Sequence, residues 1–198
     1  MMKIDTKLHK SAYTFIKIWS TNIENKKIFC SSFNDFIPKE WQLLLTSDGS
    51  LTRHINILRR KKVQIHIIIN RRTVLENTKY FLLDRVSETK REVWLMNGNQ
   101  TLIFAQSYWL EPKQSLQFNS HKPIGQVLID NEINVHREIT HIYCGYCEII
   151  ESKFGNKGPL WGRSYLLYFN RTPTLIINEI FSPYLVKDIQ FFNHKTHA

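Results

Sequence analysis

The 198-residue sequence has little cysteine, no long apolar run and a shortage of acidic residues. Its three cysteines, Cys30, Cys144 and Cys147, are too few and too odd in number for a disulfide-stabilised scaffold, and they favour a reducing compartment. The longest aliphatic run, residues 67–69, is far shorter than the roughly 20 residues that span a bilayer, which excludes a membrane-inserted chain. The first residues lack the apolar core of a signal peptide, so we expect a protein that stays where it is made.

Charge is the most uneven feature of the composition. Lys and Arg number 27 against 17 Asp and Glu, a formal net charge of +10. A surplus of this size favours an anionic partner, which can be a nucleic acid, an anionic lipid or an acidic small molecule. Hydrophobic residues make up 42% and charged residues 22%, which is ordinary globular composition and excludes collagen, coiled coil and full-length disorder.

The apolar patterning divides the chain into three parts. Residues 1–37 are polar and irregular, and we expect an N-terminal extension that packs only in part. Residues 38–185 form one domain, and residues 186–198 form a C-terminal tail.

Within the domain, the pattern predicts three helices and several strands. Helices are expected at residues 39–45, after Asp48-Gly49-Ser50, and at residues 123–129, where Pro123 occupies the first position. Alternating apolar residues predict strands at 63–69, 91–96, 101–109, part of 135–149, 160–169 and 174–181. Asn97-Gly98-Asn99 is a hairpin signal, and residues 170–173 form a second turn. Hairpins with helices set apart from them predict an α+β fold with a mostly antiparallel sheet.

Two charged residues fall on apolar strand faces. Glu179 shares its face with Leu175, Ile177 and Phe181, because alternate strand residues point the same way. Arg91 likewise shares a face with the apolar residues that follow it. A buried ion pair between Arg91 and Glu179, or fraying strand ends, would explain both without any function. An isolated buried charge costs several kcal/mol, so it is often kept to bind a ligand.

Five segments in one order resemble the chorismate lyase family. They are Trp41-Gln42-Leu43-Leu44-Leu45 with Asp48-Gly49-Ser50-Leu51-Thr52-Arg53, Arg91-Glu92-Val93-Trp94-Leu95, Lys122-Pro123-Ile124-Gly125, Leu160-Trp161-Gly162-Arg163-Ser164 and Asn178-Glu179-Ile180-Phe181-Ser182-Pro183. The Asp-Gly-Ser-Leu-Thr and Phe-Ser-Pro forms are those of chorismate-lyase-like proteins of cyanobacteria and red-algal plastid genomes. The resemblance therefore implies the chloroplast stroma if the chain is plastid-encoded, and the cytoplasm otherwise.

The resemblance also implies an activity and a site. Chorismate lyases cleave chorismate to 4-hydroxybenzoate and pyruvate for quinone head groups, with no metal and no cofactor. Their antiparallel sheet has about six strands, and helical lids bury the product. Arg91 falls where the family arginine pairs with the ring carboxylate, and Glu179 falls at the hydroxyl end, so these two are the implied catalytic residues. The backbone amides of Leu51 and Ile124 fall where the family binds the ligand.

Two further sets of residues have alternative interpretations. Arg163 can meet the enolpyruvyl carboxylate, or it can be a purely structural arginine. Cys144 and Cys147, with His136 and His141 upstream, lack the spacing of a zinc site, and we predict two small buried or half-buried thiols and no metal.

Two competing functions remain. One is a non-catalytic module that binds small aromatic acids, since the fold resembles the effector domains of some bacterial repressors. The other is a basic nucleic-acid or membrane-surface protein, which rests on charge alone. We expect a small-molecule partner and no nucleic-acid partner, because the sequence has no helix-turn-helix and no stacking motif.

Overall fold

The computed structural model describes residues 13–23, 36–76, 85–110 and 122–187. These residues form an α+β domain built on one antiparallel sheet of seven strands in the order β1-β5-β6-β7-β4-β3-β2. The strands are β1 (Ile16–Asn22), β2 (Gln64–Glu76), β3 (Arg85–Asn97), β4 (Gln100–Leu110), β5 (Val135–Tyr146), β6 (Leu160–Phe169) and β7 (Thr172–Phe181). The helices are α1 (Lys39–Thr46), α2 (Leu51–Arg59), α3 (Ile124–Asp130) and α4 (Glu148–Phe154).

The three predicted helices begin at the expected signals. Pro38 precedes α1 and Pro123 precedes α3, where a residue without an N–H removes no intrahelical hydrogen bond. Ser50 caps α2, and its hydroxyl accepts a hydrogen bond from the backbone amide of Arg53. The helix ends at Arg60, which adopts the left-handed conformation. Pro123 lies just outside α3 as its cap rather than at its first position.

Two tight turns set the strand registers. Gly98, in the left-handed region, lies in the turn that joins β3 to β4, as the Asn-Gly signal predicts. Asn170 and Arg171 both have positive φ and form the turn between β6 and β7. Pro173 belongs to β7 rather than to the predicted turn. It lies beside a bulge that shifts the register between Leu167 and Tyr168, one of the few sheet positions that tolerate proline.

The seventh strand comes from the predicted extension. Ile16–Asn22 pairs with β5 at the edge of the sheet, so part of residues 1–37 belongs to the sheet, which has seven strands instead of about six. Ile16 and Ile18 are exposed, and a strand with so little burial leaves almost no apolar period in the sequence. The rest of the predicted extension and of the C-terminal tail, residues 1–12, 24–35 and 188–198, lies outside the described residues.

Helix α4 was not predicted. Residues 148–149 were included in a stretch expected to be partly strand, but the strand ends at Tyr146. Glu148 and Glu151 lie in the first turn of α4, and Gly155 ends it in the left-handed conformation. Acidic residues at a helix start and a glycine after its end are helix signals, and the preceding apolar run obscured them.

The sheet buries an apolar cluster on each face. The larger cluster lies under α1, α2 and α3, with Trp41, Leu45 and Ile55 packed against strand residues such as Ile103 and Phe181. The smaller cluster lies on the opposite face, where α4 packs its apolar side chains against Trp94 and Phe104. Among the described helices, none is long and apolar enough to cross a bilayer.

Candidate active site

A cavity lies between the larger apolar face of the sheet and the two helices α2 and α3. Its floor is formed by side chains of the strands, mostly apolar, among them Ile65, Val93, Leu95, Leu167 and Ile177. Its cover comes from Thr52 on α2 and from Pro123, Ile124, Gly125 and Leu128 at α3. The space between these walls is partly open to solvent. The expected helical lids are therefore α2 and α3, and they contact each other above the cavity.

Five polar side chains of the cavity come from five different strands. They are Arg91 on β3, Ser107 on β4, Arg137 on β5, Tyr165 on β6 and Glu179 on β7. A few polar groups on apolar walls are typical of sites that bind small molecules. The strand-face prediction for Arg91 and Glu179 is correct, since both residues line this cavity together with their apolar neighbours.

Arg91 is buried at the junction of β3 and α3. Only 4% of the residue is exposed, and its Nη2 donates a hydrogen bond to the backbone carbonyl of Lys122 at 3.1 Å. This contact connects the arginine to the residue before Pro123, at the start of α3. Burial lowers the pKa of the Arg91 guanidinium from its ordinary value. An anion from the ligand would offset part of that desolvation.

Glu179 is held by two side chains of β6. Its Oε2 accepts from Nε of Arg163 at 2.8 Å, and its Oε1 accepts from the hydroxyl of Tyr165 at 3.0 Å. Each carboxylate oxygen keeps a second lone pair for a ligand. Burial, and then the charge of Glu179, raises the pKa of Tyr165 above its ordinary value, so the phenol stays a donor.

The ion pair of Glu179 is with Arg163, not with Arg91. Arg163 and Glu179 lie directly opposite each other on β6 and β7. Arg91, by contrast, is two strands away from β7, in register with Ser107. Strand spacings put the Cα atoms of Arg91 and Glu179 about 12 Å apart. The two residues therefore reach the cavity from different sides.

Arg163 lies behind Glu179 and outside the cavity lining. The residue is fully buried, and its Nη1 donates to the backbone carbonyls of Leu44 and Ser47, at and just beyond the last turn of α1. Burial lowers the pKa of the guanidinium, but Glu179, Tyr165 and Asp48 together outweigh the burial and the pKa is raised. This geometry supports the structural alternative for Arg163 and not the predicted contact with a substrate carboxylate.

The Trp-Gly-Arg segment has a packing role at each residue. Trp161 stacks edge-on against Trp19 of β1, with ring centroids 5.7 Å apart. Gly162 leaves room for the Tyr143 ring, since a Cβ there would lie 2.4 Å from it and 2.8 Å from the carbonyl oxygen of Glu179. Arg163 pairs with Glu179. The segment therefore fixes the position of the carboxylate.

The two predicted backbone contacts lie at the lids. Leu51 is the buried first residue of α2, and its neighbour Thr52 lines the cavity, although Leu51 itself does not. Ile124 begins α3 and lines the cavity directly. Amides in the first turn of a helix have no intrahelical acceptor, so both positions have the chemistry that binding an anion needs.

Sequence reasoning missed Arg137 and Tyr165. The guanidinium of Arg137 lies over the Tyr165 ring at 4.6 Å from its centroid. Its Nη1 donates to the backbone carbonyls of Asp48 at 2.9 Å and Gly49 at 2.7 Å, in the loop before α2. The alternation of side chains along β6 could have predicted Tyr165, because it lies on the same face of the strand as Arg163. A bulge between Ile139 and His141 breaks the parity of β5, so no simple alternation pointed to Arg137.

The cysteine-histidine segment forms no metal site in the part of the chain that the structure describes. Cys144 and Cys147 are buried free thiols. No group of three or more potential metal ligands comes together among the described residues.

Comparison with known families agrees with this architecture. The family model described as chorismate pyruvate-lyase Rv2949c-like matches residues 45–189, and the chain belongs to this family. The match spans the lids, the cavity strands and the short helical turn at residues 184–187.

Two algal proteins show how far the similarity extends. The protein called uncharacterized protein ycf21 of Antithamnion sp. is 34% identical over 89% of this chain and 95% of its own length. The ycf21 protein of Porphyra purpurea is 35% identical over 87% of this chain and 97% of its own length. These relatives are plastid-encoded.

A solved structure shares the fold. The effector domain of PhnF from Mycobacterium smegmatis superposes with a TM-score of 0.51 at 9% identity, over 68% of this chain and 89% of that one. At this identity the likeness concerns the fold alone.

Proposed function

We propose that this protein is a chorismate pyruvate-lyase that converts chorismate to 4-hydroxybenzoate and pyruvate. One observation carries the proposal: Arg91 and Glu179, on separate strands, line one apolar cavity beneath α2 and α3. The family match to a chorismate pyruvate-lyase model supports the same conclusion.

The chemistry of chorismate makes few demands on the protein. The ether bond to the enolpyruvyl group breaks, the neighbouring ring carbon loses its hydrogen, and the ring becomes aromatic. Enolpyruvate then tautomerises to pyruvate. Because aromatisation makes the reaction strongly downhill, the protein mainly has to orient the ring and exclude water.

Each site residue has a role in that orientation. The Arg91 guanidinium forks onto the ring carboxylate, a geometry in which two parallel hydrogen bonds fix the ring plane. The amides of Leu51 and Ile124 donate to the same carboxylate from the lids. Glu179 lies at the far side of the cavity and accepts a hydrogen bond from the ring hydroxyl, so the carbon that loses its hydrogen sits next to the carboxylate.

The interior supports this arrangement energetically. The Glu179 side chain is 13% exposed, and its charge is compensated by Arg163 behind it. A hydrogen bond to a charged group inside a protein contributes about 1.5–3 kcal/mol. The ion pair therefore keeps a charged acceptor beside an apolar ring.

We further propose that the protein acts in the plastid stroma and supplies 4-hydroxybenzoate for quinone head groups. The plastid-encoded relatives support the location, and the chemistry of the product supports the use.

A non-catalytic sensor of aromatic acids is the second candidate, favoured by the fold shared with the PhnF effector domain. Calorimetry with 4-hydroxybenzoate beside a turnover assay with chorismate separates the two. A lyase consumes chorismate faster than its spontaneous decay. A sensor binds 4-hydroxybenzoate tightly and leaves chorismate intact, and that result would overturn the enzymatic proposal.

A further inference from the structure

Positive side chains outnumber negative ones in the cavity lining. Among the described residues that line the cavity, the charged side chains are those of Arg91, Arg137 and Glu179. The single carboxylate is already paired with Arg163, which lies outside the lining. Two guanidinium groups and one carboxylate therefore line a mostly apolar space, and each guanidinium can bind one carboxylate of a ligand.

Arg137 is held by the loop before α2 and by the Tyr165 ring. Its Nη1 donates to the carbonyls of Asp48 and Gly49, and its guanidinium carbon lies over the Tyr165 ring, 4.6 Å from the ring centroid. Its Nε is buried and has no hydrogen-bond acceptor among the described residues. A buried N–H left without an acceptor costs about 1–3 kcal/mol. That cost is recovered if a bound ligand supplies the acceptor.

The position of Arg137 fits the second carboxylate of the proposed substrate. In strand order, Arg137 on β5 and Arg91 on β3 lie on opposite sides of Glu179 on β7. In chorismate the enolpyruvyl ether is attached beside the ring hydroxyl, at the end of the ring away from the ring carboxylate. A ring carboxylate at Arg91 and a hydroxyl at Glu179 thus direct the enolpyruvyl group toward Arg137.

We propose that Arg137 binds the enolpyruvyl carboxylate and makes the site selective for dicarboxylates built on a six-membered carbon ring, an inference that rests on the proposed function. The same contact joins substrate to the lid, because Arg137 also holds the loop that leads into α2. Arg163, fully buried against the end of α1, does not take this role.

A pair of unreactive ligands tests the assignment by affinity alone. The first is 4-hydroxybenzoate, with one carboxylate. The second is 3-(carboxymethoxy)-4-hydroxybenzoate, which adds a carboxylate next to the hydroxyl. We expect the wild type to bind the dicarboxylate about tenfold or more tightly than the monocarboxylate, the effect of one charge-assisted hydrogen bond. Calorimetry measures both dissociation constants.

Three variants distinguish a direct contact from a structural role. In Arg137→Gln the affinity ratio should fall to about one, with little change for 4-hydroxybenzoate. Arg137→Lys, which keeps the charge without the fork, should retain part of the ratio. Arg53→Gln, an exposed arginine on the same lid, should keep the full ratio. If Arg137→Gln keeps the wild-type ratio, or weakens both ligands equally, the inference is overturned.

The outcomes also separate this inference from the lyase proposal. A wild type that turns over chorismate but shows no preference for the dicarboxylate overturns the role of Arg137 alone. A preference that depends on Arg137, in a protein that leaves chorismate intact, supports the role of Arg137 and overturns the lyase activity.

Discussion

At the scale of single residues, the two ends of the cavity are stabilised differently. Arg91 is desolvated and contacts the backbone of Lys122, whereas Glu179 is compensated by a fully buried arginine. A ligand anion thus improves the environment of Arg91, while a ligand hydroxyl only adds to an existing network at Glu179. Substitutions at the two positions should therefore have different consequences for binding and for stability.

Arg91→Ala should abolish most binding of the ring carboxylate. Losing a bidentate charged pair of this kind costs about 3 kcal/mol, which is roughly a hundredfold rise in the dissociation constant for 4-hydroxybenzoate. Arg91→Lys keeps the positive charge but not the two parallel hydrogen bonds. Its dissociation constant should therefore lie between those of the wild type and Arg91→Ala. Calorimetry on the three proteins checks the order, and an Arg91→Ala variant that binds like the wild type would remove Arg91 from the site.

Glu179→Gln should slow turnover and also lower stability. The substitution removes the charge that compensates Arg163, and breaking a buried pair in this way costs about 3 kcal/mol. Turnover should fall about 10- to 100-fold, the worth of one charged hydrogen bond.

The matched control for Glu179 is Tyr165→Phe. It removes one hydrogen bond to Oε1 and leaves the charge pair in place, so its loss of stability should be smaller. Urea unfolding and steady-state rates are measured on both variants. Wild-type turnover in a folded Glu179→Gln protein would contradict the role given to the carboxylate.

Residue patterns predicted the faces of Arg91 and Glu179 but not the partner of Glu179. This prediction requires only that successive side chains of a strand point to opposite faces, and β3 and β7 both follow that rule near these two residues. The pairing with Arg163 depends on the register across a turn, which alternation does not contain. Arg137 was missed for a related reason, because a bulge interrupts the alternation of β5.

At the scale of elements, the β6–β7 hairpin shows why register is hard to predict. If the two strands paired regularly outward from the turn at Asn170 and Arg171, with no bulge, Arg163 would lie opposite Asn178. The bulge beside Pro173 shifts the pairing by one residue and places Arg163 opposite Glu179 on the same face. The buried ion pair of the site therefore depends on one extra residue in β7.

Gly162→Ala should destabilise the same hairpin. Its new Cβ would overlap the Tyr143 ring and the carbonyl oxygen of Glu179, and forcing extra atoms into a packed core costs about 1–3 kcal/mol. Urea unfolding measures the loss. The double variant Gly162→Ala/Tyr143→Leu should recover part of it, because it removes the nearer of the two obstacles. A single variant as stable as the wild type would contradict this packing.

Helix caps and hairpin turns were the elements most predictable from sequence. Pro38, Ser50 and Pro123 each stand before a helix, and Gly98 lies in a hairpin turn. These signals act locally, through φ and through the hydrogen bonds of nearby amides. Strand β1 had no such signal, because its place at the sheet edge is decided by pairing with β5 and not by its own composition.

At the scale of the whole molecule, the sheet has two buried faces with different uses. The face under α1, α2 and α3 contains the larger cluster and the cavity, and the face under α4 contains the smaller cluster. The cavity lining has two guanidinium groups and one carboxylate, so the positive surplus of the chain reaches into the site itself.

Stability should fall at alkaline pH. Burial, and then the charge of Glu179, raises the pKa of Tyr143 and Tyr165 above the ordinary value of 10.0. The unfolded chain therefore releases these protons first. The stability that depends on the neutral phenols is complete below pH 10 and is lost as pH rises through the folded-state pKa values.

Urea unfolding at pH 8 and at about pH 11 tests whether stability falls as the pH rises. We expect a lower midpoint at the higher pH. The variant Tyr143→Phe/Tyr165→Phe should show a smaller difference between the two conditions. An unchanged pH dependence in that variant would contradict the assignment.

The most direct test of the account is the fate of chorismate in the presence of the purified wild-type protein. We predict that 4-hydroxybenzoate and pyruvate are released in equal amounts, well above the spontaneous rate, and that Arg91→Ala at the same concentration releases far less. If wild type and variant leave chorismate to decay at the spontaneous rate, the cavity between the sheet and its two lids is not the active site of a lyase.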